Sequence, residues 1–195
     1  SKYVSHKLMK LKIIKFKKVK STNDEAIKLI KSKNILLGVA TSDCQTNGRG
    51  TMGKTWISQK GNLFFSIFFK VDLKKFKVKD FLTLNVNIVK KILNEFSQKP
   101  ITIKAPNDLL IEGKKLCGIL QEIIEHQDEK YLITGIGINS KKSPYNKKFK
   151  ATSLSNHSKK IIKNEFILKK IKRNYDKLII DLNNHNFSYI KKKYI

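Results

Sequence analysis

Residues 41–56 read T-S-D-C-Q-T-N-G-R-G-T-M-G-K-T-W. Three of the nine glycines fall here, with the single tryptophan and one of two arginines. Nearly every other basic residue is lysine, so a guanidinium at Arg49 is a chemical choice. Its planar fork holds carboxylate or phosphate oxygens bidentately, which an ammonium cannot do. Gly48 and Gly50 let backbone N–H groups come close to an anion. A glycine hairpin with a solvated arginine would carry the same residues, and the loop alone does not separate the two.

Working outward, residues 35–41 (I-L-L-G-V-A-T) read as a short buried strand before the loop. Residues 62–71 (N-L-F-F-S-I-F-F-K-V) read as a strongly apolar strand after it. Strand, glycine loop, strand is not the strand–loop–helix order of a P-loop. Upstream, residues 11–19 alternate with Ile14 and Phe16 on one side, an edge-like strand with lysines toward water. Ser21 then caps a helix over 21–33, with Asp24 and Glu25 in its first turn and Ala26, Ile27, Leu29 and Ile30 on its apolar face. The cap needs only Ser21, so Thr22 and Asn23 are free for a ligand at the helix N-terminus.

Downstream, residues 79–96 have helical spacing with a wide apolar face. A short strand at 101–104 runs into A-P-N-D, where Pro106 fixes a turn that presents Asn107 and Asp108. E-G-K-K (112–115) reads as a hairpin turn, and 116–125 with 131–138 as a second apolar hairpin, available for pairing between subunits. Asn139 follows G-I-G-I, whose glycines admit another backbone or a ligand. Residues 164–183 form another amphipathic helix, and the last residues read as a tail. Hairpins dominate the middle, so the expected fold class is α+β: a central mixed, largely antiparallel sheet with flanking helices.

At 195 residues and 40% apolar composition, one domain with a real core is expected. No apolar run approaches the ~18 residues of a membrane span. The first ten residues have no secretory h-region and read as an extension before a domain at 11–190, with Met9 a candidate start and 191–195 a short tail. Cys44 and Cys117 have no metal spacing and read as packing residues in a reducing, cytoplasmic setting. The formal charge of +27 invites a nucleic-acid reading. The lysines are spread along the whole chain, however, in a Lys-, Ile- and Asn-rich composition. A specific nucleic-acid partner is therefore not expected, although such a surface would steer an acidic protein partner.

Four polar clusters stand at element ends: 21–23, 45–56, 104–115 and 135–139. Between them they supply a glycine–arginine loop, a turn-borne carboxylate (Asp108), a lysine at a hairpin end (Lys115) and an aromatic able to stack on a base (Trp56). Each has a plain structural alternative: a turn aspartate, a solvated lysine, a packing tryptophan.

Taken in order, the segments resemble the catalytic domain of the biotin–protein ligases. They are S-T-N-D-E-A (21–26), Q-T-N-G-R-G-x-x-G-K-x-W (45–56), G-N-L-F-F-S (61–66), K-x-P-N-D-L (104–109), K-K-L-C-G-I-L-Q-E (114–122), G-I-G-I-N (135–139) and A-T-S-L (151–154). The resemblance spans residues 12–190 and implies a class II synthetase-like fold. It implies ATP, biotin and Mg²⁺, and a biotin carboxyl carrier domain as acceptor. It places Ser21, Thr22, Asn23, Gln45, Gly48, Arg49, Lys115 and Gly118 around biotin. Arg49, Gly50, Thr51, Trp56, Asn107 and Asn139 would lie around the adenylate. Lys115 and Arg49 would be the catalytic cations, Asp108 a magnesium ligand, and Leu116, Ile119 and Ile136 the apolar walls.

This chain departs from the pattern. Many members have arginine where Thr51 stands, so biotinyl-AMP is expected to escape more easily; Lys54 replaces another common arginine, and Ala105 stands where tryptophan is usual, which implies a rearranged pocket wall. No helix-turn-helix precedes residue 11 and no β-barrel follows, so a repressor role is not expected. The competing readings are a lipoate–protein ligase of the same fold, whose R-R-x-S-G-G-G loop is absent, a basic nucleic-acid-binding module, and a degenerate ligase that binds biotin without turnover.

Overall fold

The computed structural model describes residues 10–195, so the extension read at 1–10 lies almost wholly outside the described residues. Seven strands form one sheet in the order β1-β2-β3-β7-β6-β5-β4. They are β1 (Ile13–Val19), β2 (Gly38–Gln45), β3 (Leu63–Val71), β4 (Ile101–Lys104), β5 (Asp108–Ile111), β6 (Lys114–His126) and β7 (Glu129–Ile138). β1 runs parallel to β2, and every other neighbouring pair is antiparallel. The expected mixed, largely antiparallel sheet is present, with β1 at one edge as its alternation required. The β6–β7 hairpin lies inside the sheet, between β5 and β3. β5 pairs with β6 only over Lys114–Gly118, so the hairpin is enclosed at its base.

The sheet is covered on both faces. Helices α2 (Val78–Asn94), α3 (Asn164–Asn184) and α4 (Phe187–Tyr194) pack on one face and build the main core with Leu63, Phe65, Ile67 and Phe69 of β3. Helix α1 (Thr22–Lys33) covers part of the other face, where Ala26, Leu29 and Ile30 meet Phe68, Tyr131 and Ile133. Alternate side chains of β3 therefore enter different cores, which is why apolar residues occupy both of its faces, with Ser66 the buried exception beside Asn23.

Two expectations shift. The strand foreseen at 35–41 begins three residues later, at Gly38. Asn34 ends α1 with φ 51°, and Ile35 N–H returns to the Leu29 carbonyl, so 35–37 belong to the connection. Pairing with β1 and β3 carries the strand through the buried polar residues Thr41 and Ser42. The tail is also helical. Asn186 caps α4 by accepting from Tyr189 N–H, and Ile190 and Tyr194 are buried. The 190/191 boundary drawn from sequence thus falls inside a helix that packs on α2 and α3.

Behind the sheet, Asn85 of α2 donates to Gln121 (2.5 Å) and Thr134 (3.2 Å) and accepts from the Tyr175 hydroxyl (2.6 Å). Each polar group of this cluster finds a partner, and the cluster fixes α2 and α3 against β6 and β7, whose opposite face carries the site.

Candidate functional site

The face that α1 leaves uncovered is a cleft of ≈ 950 Å³ beyond the helix N-terminus. Its lining draws on all four polar clusters. Ser21 caps α1 by accepting from Asp24 N–H at 3.0 Å, as its sequence position implied. Thr22 and Asn23 are buried, 3% and 4% exposed. The Thr22 hydroxyl meets Ser66 at 2.7 Å, and Ser66 donates to Asn23 at 2.5 Å. Thr22 N–H donates to Gln45, whose amide donates to Ser58 at 2.9 Å. These groups face the cleft held in place, and the Gln45 amide keeps a second N–H for a ligand.

The glycine-rich segment folds back on itself over this face. Gly50 N–H reaches the Lys54 carbonyl and Trp56 N–H the Gly48 carbonyl, and Arg49 bridges Thr55. It is a hairpin, and its partly exposed arginine is paired with carboxylates. The Arg49 guanidinium takes both oxygens of Glu122 (2.7 and 3.2 Å) and one of Asp24 (2.8 Å). The hydrogen bond it donates to Glu122 leads the effects that raise its pKa further above the usual range. The carboxylate oxygens that its fork implied are here the protein's own.

Trp56 lies across the sheet at Gly118 and Gly137, which are opposed on β6 and β7. A methyl group at Gly137 would stand 2.4 Å from the indole. Lys115 extends beside it, its ammonium 5.2 Å from the Trp56 ring and 5.0 Å from that of Phe149, and 3.3 Å from Asp108. The Lys115 backbone pairs with the A-T-S-L segment: its N–H meets the Lys150 carbonyl and its carbonyl accepts from Thr152 N–H. Asn139 is 1% exposed and spends its amide on that same carbonyl, at 3.2 Å. Asn107 ties the β4–β5 turn to β6 through both bonds it makes with Ile119. Asn107 and Asn139 therefore hold the frame around Lys115 and Asp108, while Gly50 and Thr51 line the opposite wall.

Of the expected apolar walls, Ile119 and Ile136 border the cleft while their side chains join the main core, and Leu116 belongs to that core alone. Trp56 and the Phe149 ring add to the lining. Ser66, Glu122, Phe149 and Ser58 were not singled out from sequence. The signal for two of them was there: Ser66 is the one polar residue in L-F-F-S-I-F-F, and Glu122 interrupts an apolar strand.

Among the lining residues the cations are Arg49, Lys54, Lys104, Lys115, Lys148 and Lys150, and the one carboxylate is Asp108. No group of three His, Cys, Asp or Glu residues able to hold a metal occurs among the described residues. A lone carboxylate fits Mg²⁺, which is commonly held by one or two carboxylates together with substrate phosphates.

Fold and cleft define the class: an α+β domain with a cleft between a helix N-terminus and a lysine-lined wall. The chain belongs to the biotin/lipoate A/B protein ligase family, whose model matches residues 14–139. It is 34% identical over 159 residues to the bifunctional ligase/repressor BirA of Bacillus subtilis, covering 78% of this chain and 49% of that protein. To biotin–protein ligase 2 of Arabidopsis thaliana it is 32% identical over 109 residues, 52% of this chain and 32% of that one. The chain thus spans about half or less of the length of these relatives. Among solved structures, the biotin protein ligase of Aquifex aeolicus in complex with biotin and ATP superposes with a TM-score of 0.75 at 30% identity, covering 94% of this chain and 76% of that one. The Leishmania major ligase in complex with biotinyl-5-AMP gives 0.74 at 23% identity over 94% and 79%, a likeness of fold. The expected fold is borne out.

Proposed function

We propose that this chain is the catalytic portion of a biotin–protein ligase. In the first step a biotin carboxylate oxygen bonds to the α-phosphorus of ATP and pyrophosphate leaves with the broken P–O bond's electrons. In the second, the neutral amine of an acceptor lysine attacks the carbonyl of biotinyl-5′-AMP, an amide forms, AMP leaves and the amine's proton passes to solvent. Both steps crowd negative oxygens together, so positioning and neutralisation carry the catalysis.

One observation carries the reading: residues from 21–23, 45–56, 104–108, 115–118 and 135–139 line one cleft, Lys115 among them. Ser21, Thr22, Asn23, Gln45 and Gly48 would receive the biotin head group, with Gly118 beneath it. Lys115 would meet the carboxylate and α-phosphate. Gly50, Thr51 and Trp56 would flank the adenylate, on the frame of Asn107 and Asn139. Asp108 would hold Mg²⁺, which neutralises phosphate charge. A carboxyl carrier domain is the proposed acceptor, and its acidic surface would complement the +27 charge.

Radiolabelled ATP–pyrophosphate exchange with Mg²⁺ tests this, with biotin, lipoate or no acid. Exchange with biotin alone is expected. Exchange with lipoate instead would move the chain to the lipoate branch. Binding of biotin without exchange would mark a degenerate ligase.

A further inference from the structure

The glycine-rich segment crosses the cleft with few polar ties beyond itself. At its base, Thr46 and Asn47 N–H reach the carbonyls of Val19 and Lys20, and Gln45 meets Ser58. Among the described residues, the backbone bonds recorded for 48–56 run within the hairpin. Arg49 alone carries side-chain hydrogen bonds from this stretch to α1 and β6.

Both of its partners are fixed independently. Asp24 stands in the first turn of α1. Glu122 is held on β6 by Asn23, which donates to it at 2.8 Å and is itself buried. The three charged side chains are 28–38% exposed, open enough to solvent to feel salt and to exchange partners. Bidentate pairing with Glu122 and a third bond to Asp24 need a planar fork with several donors. A lysine cannot supply this, which accounts for arginine at this position in a chain that otherwise uses lysine.

We infer that Asp24 and Glu122 are positioning residues that, through Arg49, latch the glycine-rich hairpin over the cleft and so set how tightly the acid substrate is kept. The latch acts on the population of closed hairpin, and apparent affinity scales with that population. It rests on the reading above only for the identity of the ligand.

Trp56, the sole tryptophan, lies on this hairpin against Gly118 and Gly137, so its emission reports the hairpin directly. Acrylamide quenching of Trp56 would be measured in the wild type, Glu122→Gln and Asp24→Asn, alongside biotin dissociation and the exchange reaction. Quenching is expected to rise in both variants, and biotin dissociation to quicken about three- to tenfold, the range for a partly exposed charge network. The KM for biotin should rise more than kcat falls. Salt, taken from ~0.05 to ~1 M, should raise wild-type quenching toward the variants' and move Glu122→Gln less, since only the Asp24 pair remains there. Asp24→Asn, on the more exposed helix turn, keeps the test alive if Glu122→Gln unfolds. Wild-type quenching in the folded variants, or a fall in kcat at unchanged biotin KM, would overturn the latch. Quenching needs no turnover. A chain that exchanges with no acid loses the proposed reaction, while the latch is still decided.

Discussion

Gly118 and Gly137 face each other across β6 and β7, and neither position has room for a methyl group on the cleft side. A Cβ at Gly137 would lie 2.4 Å, and one at Gly118 2.8 Å, from the Trp56 indole. Gly137→Ala should therefore lift Trp56 from the sheet. The indole is on a loop that can move, so the cost to stability should stay below the ~1–3 kcal/mol of an overpacked core. Activity should suffer more: about 10-fold or greater loss of kcat/KM in the exchange reaction, the scale of a displaced positioning wall. Thermal unfolding and exchange kinetics on the same sample separate the two effects.

Lys115 stands in the cleft between two aromatic rings and Asp108. Lys115→Met should lower the exchange rate by about 10²–10³, the usual effect of removing one group aimed at developing charge. Lys115→Arg should recover little, because a guanidinium does not fit the compact position of an ammonium. Asp108→Asn should raise the Mg²⁺ concentration needed for half-maximal exchange, measured by magnesium titration.

The two cysteines should behave differently. Cys117 is fully buried, and desolvation, aided by the Asp108 charge, pushes its thiol far above the usual range. It stays protonated at any working pH and out of reach. Cys44 is half-buried. Titration with a thiol reagent should give one fast thiol in the native chain and two after denaturation.

The C-terminal helix carries a pH-dependent clasp. Burial by itself would push the Asp181 carboxyl up, but hydrogen bonds from Lys193 and Tyr194 outweigh it and hold the group below the ordinary carboxylate range. Between that lowered value and the ordinary value of about 3.9 the unfolded chain binds more protons, so stability rises with pH there. The contribution is fully present at neutral pH and lost as pH falls through the folded value. Tyr194→Phe, which removes a 2.6 Å bond, should cost about 1.5 kcal/mol at pH 7 and less at pH 3, by urea unfolding.

Local pattern read well where it only needed local physics. The Ser21 cap, the amphipathic faces of α2 and α3 and the two hairpins all follow from spacing within one element. Helix α4 was missed because its apolar residues, Phe187, Ile190 and Tyr194, are few and stand among lysines. Only the partners supplied by α2 and α3 make that spacing meaningful. The start of β2 was misplaced for a similar reason, since a strand begins where its neighbours offer backbone groups.

By itself the sequence determined which chemical groups the site has: one arginine among lysines, one tryptophan, the carboxylate of P-N-D, and glycines at the strand positions that must be thin. Residue type and order along the chain are enough for that. Only the tertiary structure decided what each group faces. The sheet put Ile119 and Ile136 at the boundary between the cleft and the main core. The packing of α1 on β6 brought Asp24 and Glu122 together on Arg49 across 25 and 73 residues of chain. A side chain's partner is set by through-space distance, and distances across many residues are fixed only once the whole sheet has formed.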